Sequence, residues 1–315
     1  MRTNKFKNRV CWITGASSGI GEALAIELSR QDAYLILSAR SCDKLERVKA
    51  LCAKPERIII LCGDMEDLQN LPLIARKSWE EFGGIDYVFL NAGFAVRDWV
   101  LNTSLELFQK EMNINFFSTV LISKTLLPLM QERRRGHFVV TSSLSGRYGV
   151  PKLAAYSASK HALHGYFESL RAEHEKDGIH VTIITAGLVK TGITLHALKG
   201  NGDPYAKMEE SVARGISPAK CASEILLATI KNKYEALVGG VDKYSVWLKR
   251  FFPRLLDYAI RNHPLRRLRA LEKILSFCKF GAPYVQKGKN NPMVHQWENP
   301  AGNHRDRHHA FHHGL

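Results

Sequence analysis

The chain has 315 residues, of which 45% are hydrophobic and 24% charged, and its formal net charge is +15. This is the composition of an ordinary globular protein. No uninterrupted apolar run approaches the roughly 20 residues that a membrane-spanning helix needs. The basic N-terminus lacks the apolar stretch and cleavage site of a signal peptide.

Short β-rich runs alternate with longer helical patterns through the first 240 residues. Most of these runs are continuously apolar, which is typical of parallel strands covered on both faces. The predicted strands are 9–14, 33–39, 57–62, 85–90, 136–142, 180–185 and 236–240. The predicted helices are 19–31, 42–53, 66–82, 104–133, 154–177 and 217–233.

Repeated β–α–β units with right-handed crossovers build a doubly wound sheet. The sequence therefore predicts an α/β fold, with a Rossmann-type parallel sheet of about seven strands and helices on both faces. This sheet forms one domain over residues 1–240. Length alone predicts about two domains, which is one more than this pattern supports.

A basic extension follows over residues 241–285. From Lys243 to the end the chain has fourteen Lys and Arg against four Asp and Glu. Two amphipathic helices are predicted at 245–260 and 264–280, with a kink at Pro253. Residues 286–315 are polar and His-rich, and we expect them to be disordered.

Three interpretations of the extension remain open. Its helices could cover a substrate pocket and bury their apolar stripe, or they could rest on an anionic membrane surface. A nucleic-acid partner is the weakest of the three, because a basic face alone is not specific. The terminal histidines favour adventitious metal binding over a metal site of the protein.

The six cysteines include no CxxC pair. This pattern predicts reduced thiols in a cytoplasmic protein and argues against a disulfide framework or a zinc site.

The segment TGASSGIG lies between the first strand and the first helix, at 14–21. Glycines there allow a pyrophosphate to approach the backbone N–H groups at a helix N-terminus. A turn-rich loop without a ligand is the alternative. The predicted phosphate-binding residues are Gly15, Ser17, Ser18, Gly19, Ile20 and Gly21.

Tyr156 and Lys160 are four residues apart on a predicted helix, and they therefore share one face. Such a pair is either a surface contact or a catalytic acid beside a cation. Three further motifs decide between the two: the T-G-x-x-x-G-x-G spacing, NAG at 91–93 and SS at 142–143. Together with Y-x-x-x-K they resemble the short-chain dehydrogenase/reductase family over roughly residues 8–240.

The resemblance implies roles for four catalytic residues. Tyr156 would be the general acid, or the base in the reverse direction. To work near pH 7 its pKa would have to fall by about 3 units, through Lys160 together with the positive nicotinamide ring of the oxidised cofactor. Ser143 would hydrogen-bond the substrate oxygen. Asn115 would anchor a water relay to the lysine, and Asn113 is the competing candidate.

The resemblance also implies a cofactor site. Arg40 stands where an NAD enzyme places an acid, and a guanidinium there can bind a 2′-phosphate, so NADP(H) is predicted over NAD(H) by at least about tenfold. A surface arginine is the alternative. Ala186 replaces the proline of the family's P-G-x-x-x-T, which predicts a looser substrate loop. The remaining predicted contacts are Asp64 to adenine, and Asn91, Ala92, Gly93, Tyr156, Lys160, Val189 and Thr191.

The implied function is an NADP(H)-dependent oxidoreductase that acts on a lipophilic carbonyl or alcohol of steroid, retinoid or fatty-acyl type. The alternatives are a 3-oxoacyl reductase of lipid synthesis and a non-catalytic NADP-binding scaffold or sensor. Relatives commonly form homodimers through the helices around 104–133 and 154–177. We expect a cytoplasmic protein, peripheral to a membrane if the extension binds lipid.

Overall fold

A computed structural model describes residues 5–262, and within them the predicted doubly wound sheet is confirmed. All seven strands are parallel, in the order β3-β2-β1-β4-β5-β6-β7. The strands are β1 Val10–Thr14, β2 Tyr34–Ser38, β3 Ile58–Ile60, β4 Tyr87–Leu90, β5 Gly136–Ser143, β6 Ile179–Ala186 and β7 Glu235–Val238.

Ten α-helices occur within residues 5–262. They are α1 Gly19–Ser29, α2 Cys42–Leu51, α3 Leu71–Glu81, α4 Leu105–Met112, α5 Ser118–Glu132, α6 Ala154–His174, α7 Glu210–Ala213, α8 Pro218–Ile230, α9 Ser245–Phe251 and α10 Pro253–Arg261.

The sheet separates two hydrophobic cores because alternate residues of each strand point to opposite faces. On β1, Cys11 and Ile13 belong to the core that contains α1, α2 and α8. Val10 and Trp12 belong to the core beneath α3, α5 and α6. Burial of each large apolar side chain stabilises the fold by roughly 1.5–3 kcal/mol.

The strand order reverses between β1 and β4, and this switch point positions the site. The loops that follow these two strands turn to opposite sides, and a crevice opens between them at the carboxyl ends of the strands. The glycine turn leaves β1, and the NAG segment leaves β4. The Tyr156–Lys160 helix, α6, follows β5 on the same side.

The predicted helix 104–133 is interrupted. A π-helical turn, Asn113–Phe117, separates α4 from α5. Such turns are rare and occur mainly at functional sites. The predicted helix 66–82 begins later, at Leu71, with a proline in its first turn.

Pro253 breaks the first helix of the extension. The helix α9 ends at Phe251 and α10 starts at Pro253, because proline is tolerated in the first turn of a helix but not in its interior.

The chain divides after His263. The predicted boundaries after residues 240 and 285 stay predictions, and the predicted helix 264–280 and the tail 286–315 lie outside the described residues. No helix within residues 5–262 has the length and apolarity to cross a membrane.

The prediction that every cysteine is a free thiol is wrong for one pair. Cys42 and Cys62 form a disulfide, with their Cα atoms 5.7 Å apart. Their separation of 20 residues hides the pair in the sequence. It forms because β2 and β3 are neighbours, so that the segments following them meet at one edge. Disulfides persist in oxidising compartments. The cysteines thus no longer support a cytoplasmic location, which stays a prediction.

We predict that Cys42→Ser together with Cys62→Ser lowers the free energy of unfolding by about 3 kcal/mol, the loop-entropy contribution of a cross-link this long. Urea denaturation of the oxidised protein and of the double variant measures the difference. Dithiothreitol should destabilise the parent to the same extent and leave the variant unchanged. An equal response of both proteins to the reductant would contradict the prediction.

Candidate active site

The glycine turn has no room for side chains at two of its positions. A Cβ on Gly15 would lie 2.7 Å from the Cα of Ala92, and Gly15 has a φ of 67°. A Cβ on Gly21 would overlap the carbonyl oxygen of Gly15. Gly19, with a φ of 61°, begins α1. The predicted turn therefore forms, with its backbone open to an approaching ligand.

Thr14 and Asn91 fix the turn to the carboxyl ends of the strands. The Thr14 hydroxyl accepts hydrogen bonds from the backbone N–H of Asn91 at 3.0 Å and of Ala92 at 3.1 Å. The Asn91 amide donates to the Thr14 carbonyl at 3.3 Å and accepts from the Thr141 hydroxyl at 3.3 Å. Asn91 thus joins the ends of β1, β4 and β5.

These residues fit the pyrophosphate of a dinucleotide. The Ser18 side chain makes no capping hydrogen bond, so it does not compete for the first N–H groups of α1. Those N–H groups have no partner inside the helix, and the helix dipole favours an anion there. Ser17 and Ile20 are half-buried within the turn. Gly93 keeps its side of the crevice free of a side chain.

Two arginines follow β2, the strand beside β1. Arg40 is exposed directly after β2, and among residues 5–262 it has no ion-pair partner. Arg47, which the sequence analysis missed, donates to the Ser17 carbonyl at 3.5 Å and to Glu22 at 3.2 Å. The Asp64 carboxylate accepts from the backbone N–H of Glu66 at 3.0 Å.

Lys160 and Tyr156 share one face of α6, as their spacing predicts. Lys160 is 3% exposed. Its ammonium donates to the Thr141 carbonyl at 2.8 Å and lies 5.6 Å from the centre of the Tyr156 ring. Burial lowers the pKa of Lys160 to about 8, and Glu111 acts in the opposite direction.

Tyr156 differs from the expectation of a lowered pKa. Burial and the nearby Glu111 carboxylate raise its pKa to about 12, and a hydrogen bond with Ser143 acts against them. The cost of placing a phenolate away from water therefore exceeds the attraction that Lys160 was expected to supply. The phenol consequently keeps its proton at neutral pH.

Ser143 closes the polar cluster at the end of β5. Its hydroxyl bonds to Tyr156 and also accepts from the backbone N–H of Ser145 at 3.2 Å. The neighbouring Ser142 points elsewhere, to His164 at 3.0 Å. The period of two along a strand separates these adjacent serines, so that only Ser143 faces the phenol.

Asn115 is fully buried on the π-helical turn. Its side-chain oxygen Oδ1 accepts from the backbone N–H of Phe94 at 2.8 Å. Its side-chain nitrogen Nδ2 donates to the Phe94 carbonyl at 2.9 Å and to the Ser159 hydroxyl at 3.1 Å. The competing candidate Asn113 is only half-buried. Asn115 thus joins the NAG segment to α6.

The loop after β6 covers the glycine turn. A Cβ on Gly19 would lie 3.2 Å from the Thr191 methyl group, and Val189 is buried. The N–H of Leu188 donates to the Asp242 carboxylate at 2.6 Å. Asp242 belongs to the segment after β7. Its hydrogen bond fixes the start of the loop after β6, close to Ala186, which replaces the family's proline.

Glu111 is the main residue of this site that the sequence analysis missed. It is fully buried on α4, and it affects the pKa of both Tyr156 and Lys160. Buried residues recur at Leu107, Glu111 and Ile114. An acid at a helical spacing otherwise occupied by apolar residues was the available signal.

Comparisons with known proteins agree with this geometry. The family model described as "short chain dehydrogenase" matches residues 9–201. A Drosophila melanogaster protein named "Dehydrogenase/reductase SDR family protein 7-like" is 35% identical over 86% of this chain and 85% of its own. The Bos taurus protein "Dehydrogenase/reductase SDR family member 7B" is 34% identical over 79% of each chain.

Solved structures show the same fold. Levodione reductase superimposes with a TM-score of 0.68 at 25% identity, over 77% of this chain and 99% of its own. A short-chain dehydrogenase/reductase from Burkholderia phymatum, solved in complex with NAD, gives a TM-score of 0.70 at 22% identity, over 80% of this chain and 96% of its own. The chain therefore belongs to the short-chain dehydrogenase/reductase family of oxidoreductases.

Proposed function

We propose that the protein is an NADP(H)-dependent reductase of lipophilic carbonyl compounds, of steroid, retinoid or fatty-acyl type. The observation that carries the proposal is the meeting of Tyr156, Ser143 and Lys160 beside the glycine turn. The nicotinamide, when bound, supplies or accepts the hydride. Every other part of the reaction belongs to residues of this chain.

Tyr156 can act as the proton donor of carbonyl reduction. Its hydroxyl holds a proton at neutral pH and can donate it to a carbonyl oxygen as that oxygen gains negative charge. Ser143 supplies a second hydrogen bond to the same oxygen. Lys160 stabilises the phenolate that remains. Oxidation of an alcohol would require Tyr156 to start without its proton.

The preference for NADP(H) rests on Arg40. Its planar guanidinium is exposed at the end of β2 without an ion-pair partner among the described residues, and it can therefore bind a 2′-phosphate through two hydrogen bonds. Arg47 adds a second positive charge nearby, although it is already paired with Glu22.

A lipophilic substrate is supported by apolar side chains on two loops at the carboxyl edge of the sheet. Val100 is 67% and Leu101 98% exposed on the loop after β4, and Leu195 is 42% exposed on the loop after β6. These loops meet where the Ser104 N–H donates to the Gly200 carbonyl at 3.1 Å. Large apolar side chains concentrated beside a polar site are typical of binding surfaces for apolar ligands.

Two other functions share these features. A 3-oxoacyl reductase would act on acyl thioesters and not on free ketones. A non-catalytic scaffold or sensor would bind NADP(H) without turnover. The four-residue set of Asn115, Ser143, Tyr156 and Lys160 favours an enzyme, because a scaffold needs no proton donor.

We further propose a homodimer through α4, α5 and α6. The π-helical turn that joins α4 to α5 presents Phe117, which is 45% exposed. Light scattering would measure the oligomeric state.

The helices α9 and α10 support membrane docking as a second property. Trp247, Phe251 and Leu255 are each more than half exposed there. Arg250 and Arg254 lie beside them and have no ion-pair partner within residues 5–262. An apolar face bordered by cations suits the interface of an anionic bilayer. We propose that this surface, named the α9–α10 face, rests on such a membrane, where it could meet lipophilic substrates.

We predict that Arg40→Gln weakens NADPH binding by about 10-fold to 100-fold, since hydrogen bonds to charged groups contribute about 1.5–3 kcal/mol. NADH binding should stay within about twofold, because NADH lacks the 2′-phosphate. Nicotinamide fluorescence titrations measure both. The matched control is Lys220→Gln on α8, which removes the same charge from an exposed, remote position. Equal losses for the two cofactors would contradict the role of Arg40.

We predict that Tyr156→Phe lowers carbonyl reduction by at least about 100-fold, the usual contribution of a positioned acid. NADPH affinity should change little, because the ring and Lys160 remain. Steady-state assays on a panel of lipophilic ketones and acyl thioesters measure the loss and identify the substrate class. Tyr166→Phe on the same helix is the control. Unchanged turnover in the Tyr156 variant would refute the proposed chemistry.

We predict that replacing Arg250 and Arg254 with Gln weakens partitioning to phosphatidylserine vesicles by about 30-fold, from roughly 1 kcal/mol per basic residue near the surface. High salt should remove the difference between parent and variant. Vesicle sedimentation measures both effects. Arg214→Gln together with Lys220→Gln is the matched control. Equal partitioning of the two double variants would rule out the α9–α10 face.

A further inference from the structure

Glu111 is a buried acid without a hydrogen-bond partner. It is fully buried, and neither carboxylate oxygen makes a hydrogen bond of normal geometry within residues 5–262. The main chain of Val96 faces the carboxyl group and tends to lower its pKa. An unpaired ionised carboxylate in such surroundings is strongly unfavourable, so the group is driven to hold a proton.

The position of Glu111 connects it with the catalytic cluster. It lies four residues before Asn115, and the two residues contact the same extended segment after β4. Asn115 brackets Phe94 through two hydrogen bonds, and Glu111 faces Val96, two residues further on. The helix α4 also packs against α6, which carries Tyr156 and Lys160.

Lys160 is the charged group that acts on Glu111 within the described residues, and Glu111 is the charged group that acts on Lys160. Burial raises the pKa of Glu111 to about 8 and lowers that of Lys160 to about 8. The two groups do not form a direct ion pair, and both carboxylate oxygens are left without a hydrogen-bond partner within residues 5–262. A buried polar atom of this kind is typically satisfied by a water, and such a water could carry a proton between the two groups.

We propose that Glu111 is the proton store of this active site, a positioning residue that restores the proton of Lys160 after each reduction. The proposal rests on the reductase function proposed above. This buried side chain on α4 acts in the step that follows carbonyl reduction.

The Tyr156 O–H bond breaks as its proton goes to the reduced carbonyl oxygen. A proton from the Lys160 ammonium then re-forms the phenol and leaves a neutral amine. The Glu111 carboxylic acid gives its proton to that amine through a bridging water, so that a carboxylate and an ammonium remain. Solvent returns one proton to Glu111 before the next turnover.

The decisive variant is Glu111→Gln, which keeps the shape of the side chain but cannot store a proton. In rapid mixing with NADPH and a reducible ketone, the first turnover should keep the parental rate, because Tyr156 already carries its proton. Later turnovers should slow by about 10-fold to 100-fold, with an increased solvent isotope effect. Parental steady-state rates, or a first turnover slowed as much as later ones, would overturn the proposal.

A second measurement needs neither cofactor nor turnover. Infrared titration should show a protonated carboxylic acid that persists above pH 6 and ionises near pH 8, present in the parent and absent from Glu111→Gln. Its folded-state pKa is raised, so its stabilising effect is present at low pH and lost as pH rises through 8. The stability of Glu111→Gln relative to the parent should therefore increase between pH 5 and 9.

The control is Glu106→Gln, an exposed acid on the same helix, which should match the parent in both experiments. Absence of the infrared band would overturn the proposal whatever the enzyme does. Absence of turnover in the parent on every carbonyl, with the band present, would instead refute the reductase function.

Discussion

The site depends on the burial of one cation. Lys160 keeps its ammonium away from water with one hydrogen bond within residues 5–262, to the carbonyl of Thr141. Such a charge is costly unless its surroundings compensate. The carbonyl of Thr141 and the Tyr156 ring supply that compensation, and Glu111 adds to it when its carboxyl group is ionised. The same low-dielectric surroundings shift the pKa values of Glu111, Tyr156 and Lys160. Burial therefore both shapes the acid–base chemistry of the site and destabilises its charged groups.

Parallel strands determine which residues can take part. The carboxyl ends of β1, β4 and β5 lie side by side, and Asn91 hydrogen-bonds across all three. The glycine turn, the NAG segment and Ser143 at the end of β5 therefore meet although they are far apart in the chain. The helix α6 adds its two residues to this edge because it follows β5 on the same side.

Much of this arrangement could be predicted from the sequence. Apolar runs gave each strand within about two residues, because a strand covered on both faces excludes polar side chains. The glycine turn and the Tyr156–Lys160 pair were visible because their function needs a fixed local spacing. Glu111 left only one signal, an acid at a helical spacing otherwise occupied by apolar residues. Arg47 and Asp242 left none, because each reaches the site through tertiary packing alone. The Cys42–Cys62 disulfide was missed for the same reason.

The direct contact of Gly21 with the carbonyl of Gly15 limits how this protein could change its cofactor in evolution or by design. Any side chain at Gly21 would displace the backbone of the turn, so the turn tolerates little variation. Variation is tolerated instead at exposed positions such as residue 40, where a new side chain displaces only solvent. The residue at position 40, where we propose that cofactor choice is determined, can therefore vary while the glycine turn stays fixed.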